Sequence, residues 1–85
     1  MSNSPDNMFE VMVMNINGGI YERVLCNTYN EAINIMNYLF IGLRNMDSLG
    51  LCESLCEILI NKRQKYKIGT KTIIKRTLLL KKPFH

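Results

Sequence analysis

Two β-prone runs on either side of Asn17-Gly18-Gly19 constrain the fold more than any other feature of this sequence. The runs cover residues 9–16 and 20–25, and both are rich in Val, Ile, Met and aromatic residues. Asn-Gly and Gly-Gly dipeptides favour the tight turns of β-hairpins, because both central residues of a type I′ turn need positive φ. The sequence therefore predicts an antiparallel hairpin over residues 9–25.

The predicted hairpin is apolar on both faces. One face carries Phe9, Val11, Val13, Val24 and Cys26. The other face, which we call the methionine face, carries Met12, Met14, Ile16, Tyr21 and Leu25 and is interrupted only by Glu10 and Arg23. Such a hairpin needs a cover on each side, from its own helices, a second copy or a partner. Since methionine side chains adapt to varied surfaces, the methionine face is a candidate protein interface, and a packed helix is the alternative.

A helix is predicted to follow the hairpin. Thr28 and Glu31 have the spacing of a capping box, and the helix that they open extends to about Asn45. Apolar residues at helical spacing predict its core-facing side: Ala32, Ile35, Met36, Leu39, Phe40 and Leu43. Ile41 lies in the opposite, polar stripe beside Tyr38, so it is either a partner anchor or an ordinary exposed apolar residue.

A second helix is predicted from Asp47 or Ser48, both good N-caps, to Lys62 and Arg63. Its inward residues are Leu51, Cys52, Leu55, Ile58 and Leu59. Beyond it, residues 65–68 and 71–80 flank Gly69-Thr70 and indicate either a second hairpin or one bent strand, which Pro83 ends. The predicted order is ββααββ, an α+β fold with two helices packed on an antiparallel sheet. We expect one domain over residues 8–85 after a disordered leader, residues 1–7.

Charge is divided unevenly along the chain. Residues 1–60 contain seven acidic and two basic residues and sum to −5, whereas residues 61–85 contain seven lysines, two arginines and no acid, and sum to +9. The basic segment, residues 62–82, is therefore a candidate site for an acidic partner or a nucleic acid. Its predicted contacts are Lys62, Arg63, Lys65, Lys67, Lys71, Lys75 and Arg76. The alternative is a solvated strand edge on which lysines deter aggregation.

The pattern of polar residues gives little support to catalysis. The one histidine, His85, is the last residue of the sequence, so a Ser or Cys nucleophile has no well-placed base. Glu53 and Glu57 lie one turn apart on the predicted second helix, which is typical of a solvated face. We predict that the chain is not an enzyme and takes no cofactor or small-molecule substrate.

The three cysteines bear on metal binding and on the cellular compartment. Cys52 and Cys56 share the predicted second helix and could hold zinc with Cys26 and His85, but a structural zinc site usually has two close ligand pairs. We therefore predict small buried side chains instead of a metal site. An odd cysteine number, a polar first segment and the lack of an apolar stretch of about 18 residues predict a cytoplasmic protein with reduced thiols and no membrane contact.

These expectations favour a small non-catalytic protein that acts by protein–protein contact. Its methionine face would bind a partner or form a homodimer, and its basic segment would engage an acidic or nucleic-acid-binding surface. Small chains of this composition are often inhibitors or regulators of host machinery encoded by phages or mobile elements. The alternative is a DNA- or RNA-binding module that contacts phosphates through residues 62–82.

Overall fold

The structure is a computed structural model that describes residues 7–45 and 54–85. It contains five elements: β1 (Asn7–Asn15), β2 (Ile20–Cys26), α1 (Tyr29–Asn45), β3 (Leu55–Ile68) and β4 (Lys71–Pro83). The strands form one antiparallel sheet of order β2-β1-β3-β4, so β1 and β3 are central and β2 and β4 are edges. In the described ranges, no helix has the length and apolar character needed to cross a bilayer.

The first hairpin confirms the prediction made from its turn residues. Gly18 has a φ of +90°, which a residue with a side chain rarely adopts. Phe9 pairs with Cys26 and Val11 with Val24, so these residues share one face as predicted. Of the predicted leader, residues 1–7, all but Asn7 lie outside the described residues, and Asn7 begins β1.

Helix α1 also begins and ends where the sequence predicts. The Glu31 amide donates a hydrogen bond to Thr28 Oγ1 at 3.1 Å, and the Thr28 hydroxyl donates to Glu31 Oε1 at 3.4 Å. This capping box satisfies one of the free amides of the first turn. On the predicted inner side, Ala32, Met36 and Leu43 are buried.

The predicted second helix is wrong, and the order of elements is ββαββ. From Leu55 onward the chain forms the 14-residue strand β3. Ile58 and Ile60 are fully buried and pair with Val13 and Val11 of β1. This alternation of β-branched residues beside β1 satisfies the backbone of both strands, and tertiary context overrides the weak helical preference of the segment. The predicted helix start and its residues 51–53 lie outside the described residues.

Residues 65–68 and 71–80 belong to a hairpin, which confirms that alternative over one bent strand. Gly69 has a φ of +64° in the turn, and Ile68 pairs with Lys71 beside it. Pairing of β1 with β3 ends at Gln64, so in the described chain residues 65–68 pair with β4 alone. We call residues 65–75 the arm.

The core lies between α1 and one face of the sheet. Its buried apolar residues are Val11, Val13, Cys26, Ala32, Met36, Leu43, Leu55, Ile58, Ile60 and Phe84. Phe84 follows β4 and is anchored there, because its amide donates to the Cys56 carbonyl at 3.0 Å and its ring stacks on Phe40 at 5.3 Å. The end of β4 is thereby fastened to the helix side of the sheet.

Candidate binding surface

The two faces of the sheet have different covers. Directly paired residues lie on the same face of a sheet, and neighbours along a strand alternate. Glu10 therefore shares a face with its partners Leu25 and Asn61, as Met12 does with Arg23 and Leu59. This face is opposite the valines and isoleucines of the core. We call it the open face, because α1, the one helix in the described residues, packs on the other side.

Three arginines from three strands converge on Glu10 at the centre of the open face. Arg23 Nε donates to Glu10 Oε2 at 2.5 Å, and Arg76 Nε donates to Oε1 at 3.0 Å. Arg63 Nε lies 3.9 Å from Oε2, and Asn61 Nδ2 donates to Oε1 at 3.3 Å. We call Arg23, Arg63 and Arg76 the arginine cluster.

The surroundings of Glu10 keep it ionised. Burial raises the pKa of this fully buried carboxyl, but hydrogen bonds from Arg23, Arg76 and Asn61 together with the charge of Arg76 outweigh burial and hold the pKa below its ordinary value. With one carboxylate and three guanidinium groups, the site has a net charge of +2. The side chains of Arg23 and Arg76 are 38% and 45% exposed, whereas that of Arg63 is 11% exposed.

Apolar side chains surround the arginine cluster. Met12, Met14 and Leu59 are half-buried on the open face. Tyr21 and Leu25 on β2 and Leu78 on β4 are exposed. The open face therefore combines an excess of positive charge at its centre with an apolar border, as protein interfaces commonly do when arginine is involved.

The structure brings most of the predicted methionine face together. Met12, Met14 and Leu25 lie on the open face. Tyr21 is the unpaired residue of β2 at the register shift between Val13 and Met14, where alternation from Arg23 places it on the open face, and Ile16 is exposed in the loop after β1 at the end of that face. Ile41 is also exposed, but it lies on α1 and so belongs to the opposite side of the molecule. A single flat partner surface would not contact Ile41 and the methionine face together.

The predicted basic segment is divided among several places. Arg63 and Arg76 belong to the arginine cluster, and half-buried Lys62 pairs with Phe9 on the core side of the sheet. Lys82 is held at α1, where its Nζ lies 4.4 Å from the Phe40 ring centroid and 3.2 Å from Asn37 Oδ1. The remaining predicted contacts, Lys65, Lys67, Lys71 and Lys75, are exposed on the arm.

The arm does not present its lysines on one side. Lys65 and Lys67 follow the alternation of the open face, whereas Lys71 and Lys75 pair with Ile68 and Gln64 on the opposite side. A phosphate backbone tracked by one face of the arm would thus meet two of the four lysines. The Phe84 ring is buried in the core, so it does not offer a surface on which a base could stack.

The cysteines do not have the predicted helical arrangement. Cys56 lies on β3 instead of a helix, and Cys52 lies outside the described residues. Burial, with a smaller contribution from Glu31, raises the pKa of the Cys26 thiol. Across residues 7–45 and 54–85, no three His, Cys, Asp or Glu side chains are grouped as metal ligands.

The sequence predicted Arg63 and Arg76 as contacts but not Glu10 and Arg23, which lie with them at the centre of this surface. Glu10 and Arg23 are visible in the sequence only as polar interruptions of the methionine face. The spacing of the strand residues was the available signal. Glu10 lies two residues before Met12 and Arg23 pairs with Met12, so both charged residues lie on the same side of the first hairpin. Arg63 joins them only because residue 63 lies in a strand, which the helical interpretation concealed.

Comparison of the chain with protein-family models, with curated proteins and with solved structures gives no match.

Proposed function

We propose that this chain is a small non-catalytic protein that acts by protein–protein contact through its open face. One observation supports this most strongly: half-buried Met12, Met14 and Leu59 surround a positively charged centre on the side of the sheet away from α1. An apolar sheet face gains free energy when a partner removes it from water, at about 25 cal/mol per Å².

The dimensions of the open face suit a protein partner. Four strands spaced about 4.8 Å apart and nine residues at about 3.3 Å each give a face of roughly 19 by 30 Å. Protein interfaces of standard size bury about 800 Å² on each partner. The open face and the adjoining arm together supply an area of that order.

The charge of the open face favours a different, acidic protein over a second copy. Two copies in contact through this face would bring together two clusters with a charge of +2 each, and like charges across an interface oppose association. The exposed lysines of the arm extend the same positive charge beyond the sheet. The arm would therefore engage an acidic surface of the same partner.

We propose that the chain acts by occupying a surface of its partner, as an inhibitor or regulator of the type that phages and mobile elements encode. We place it in the cytoplasm, where the Cys26 and Cys56 thiols stay reduced.

The test compares two double variants that add the same charge on opposite sides of the molecule. Tyr21→Asp with Leu25→Asp changes the open face, and Tyr38→Asp with Ile41→Asp changes the exposed side of α1. Circular dichroism first confirms that each tagged form is folded. Each form is then purified, in the presence of nuclease, from the organism that encodes the chain. We expect a stoichiometric partner protein with the wild type and the α1 variant but not with the open-face variant. Retention by the open-face variant would contradict the proposal.

Direct nucleic-acid binding is the second candidate, and the four exposed arm lysines favour it. It predicts that nucleic acid co-purifies without nuclease, leaves the protein at high salt, and is lost in Lys71→Glu with Lys75→Glu. Light scattering on the same preparation gives the mass of the free chain. A dimer at low and high salt would indicate that the open face binds a second copy.

A further inference from the structure

We infer that the arginine cluster is a binding site for a carboxylate side chain of the partner, so that the partner presents an acidic residue between apolar ones. This inference rests on the proposed function and names the chemistry of the partner segment that covers Glu10.

The charges of Glu10 and the arginine cluster do not balance. One arginine is enough to neutralise the Glu10 carboxylate, yet three guanidinium groups lie within 4 Å of its oxygens, at 2.5, 3.0 and 3.9 Å. The two excess charges repel each other in a partly desolvated place. A second carboxylate would neutralise part of that charge, which gives an acidic ligand an advantage over an apolar one.

The arginine cluster has hydrogen-bond donors beyond the Nε groups that contact Glu10. Within the described residues, Arg23 and Arg76 contact Glu10 through Nε, and the Nη groups of both half-exposed side chains remain for other acceptors. Arg63 Nε is buried and has no hydrogen-bond acceptor within the described chain. Because a guanidinium presents its donors in a planar fork that matches a carboxylate, this arrangement suits a ligand with two oxygens.

The border of the arginine cluster is apolar. Met12 and Leu59 are half-buried beside the cluster, and Leu25 and Leu78 are exposed around it. Tyr21 is the one aromatic residue of the methionine face, whereas recognition of single-stranded nucleic acid relies on several stacked rings. Apolar side chains on either side of an acidic residue fit this border better than a chain of phosphates does.

The experiment uses two short capped peptides as probes, Leu-Glu-Leu-Glu-Leu and its glutamine counterpart Leu-Gln-Leu-Gln-Leu. Binding is followed by the NMR signals of the arginine Nε–H groups of the full chain at constant ionic strength. A ten-nucleotide oligothymidylate is the third probe. Charge-assisted hydrogen bonds predict that the glutamate peptide binds about tenfold more tightly than the glutamine peptide.

Two variants with the same net charge separate the cluster from general attraction. Glu10→Gln with Arg23→Gln and Arg76→Gln lowers the net charge of +4 by one, and so does Lys71→Gln on the arm. The triple variant removes the buried carboxylate together with two arginines, so it leaves no unpaired buried acid, although Arg63 loses its carboxylate neighbour. We expect it to bind the glutamate peptide about tenfold more weakly, while Lys71→Gln changes the affinity by less than about twofold.

If the triple variant does not fold, Arg76→Lys provides the test, because it keeps the charge and removes the fork. A several-fold weaker affinity for the glutamate peptide is then expected. Equal binding of the two peptides, or unchanged affinity in the folded triple variant or in Arg76→Lys, would overturn the inference. Tighter binding of the oligothymidylate at the same arginine signals would overturn it in favour of phosphate. Neither result changes the outcome of the Tyr21 and Leu25 experiment, so the two proposals fail separately.

Discussion

Replacement of Glu10 by glutamine tests the energetic role of the arginine cluster. The substitution keeps the size of a fully buried side chain but removes the charge that three arginines share. One amide oxygen still accepts a hydrogen bond, whereas the amide nitrogen cannot accept from a second arginine. The folded variant therefore retains three guanidinium groups around a neutral side chain.

The expected loss of stability follows from the exposure of the arginines. Removal of one partner from a buried ion pair costs about 3–5 kcal/mol. Arg23 and Arg76 are 38% and 45% exposed, so both can turn toward water and recover part of that cost. Arg63 is 11% exposed and recovers little. We expect Glu10→Gln to lower the free energy of unfolding by about 2–3 kcal/mol.

Urea unfolding at 0.1 and 1 M NaCl measures this loss, with Glu22→Gln on the same sheet as the control. Glu22 is exposed, so its substitution is expected to change stability by less than about 0.5 kcal/mol. Buried ion pairs are screened by salt much less than exposed ones, so most of the loss in Glu10→Gln is expected to persist at 1 M NaCl. A loss below about 0.5 kcal/mol at 0.1 M NaCl would show that the ion pairs of Glu10 with the arginine cluster contribute nothing net to the stability of the fold.

Three further predictions concern pH, the core and the thiols. The folded state holds the pKa of Glu10 below its ordinary value of 4.5, so the stabilising contribution of Glu10 is present above pH 4.5 and is lost as pH falls through the folded pKa. In urea unfolding, the free energy of unfolding should therefore decrease less steeply toward acid pH in Glu10→Gln than in the wild type. Identical pH dependence of the two proteins would contradict this. Phe84→Ala removes a buried ring stacked on Phe40, so we expect a loss of about 3 kcal/mol in the same assay, and a loss below about 1 kcal/mol would show that the C-terminal anchor is dispensable. Burial raises the pKa of Cys26, so mass spectrometry should find it alkylated by iodoacetamide far more slowly in the native chain than in urea; equal rates would mean that the thiol is accessible.

Local signals account for the parts of the fold that the sequence predicts correctly. The turn at Gly18, the capping box at Thr28 and the turn at Gly69 each depend on residues close together in the chain. Their chemistry acts whatever the rest of the molecule does, since positive φ favours glycine and a free amide at a helix start favours a hydroxyl. The first hairpin, α1 and the turn at Gly69 can therefore be predicted from short stretches of sequence.

In the second half of the chain, short stretches of sequence do not determine the secondary structure. Leu55, Ile58 and Leu59 have helical spacing, while Ile58 and Ile60 also alternate as in a strand. The choice between the two patterns depends on β1, whose far edge needs a hydrogen-bonded partner 40 or more residues away. The contacts between the arginine cluster and Glu10 depend on the same pairing, because together they join residues of all four strands. No local pattern contains that information.

Hydroxyl-radical footprinting of the chain, alone and bound to its purified partner, tests whether the open face is the binding surface. Three exposed tyrosines report on separate surfaces: Tyr21 on the open face, Tyr38 on α1 and Tyr66 on the arm. If the open face is the binding surface, the partner should protect Tyr21 from oxidation and leave Tyr38 unchanged. Protection of Tyr38 with Tyr21 unchanged would place the partner on the helix side of the sheet and contradict binding through the open face.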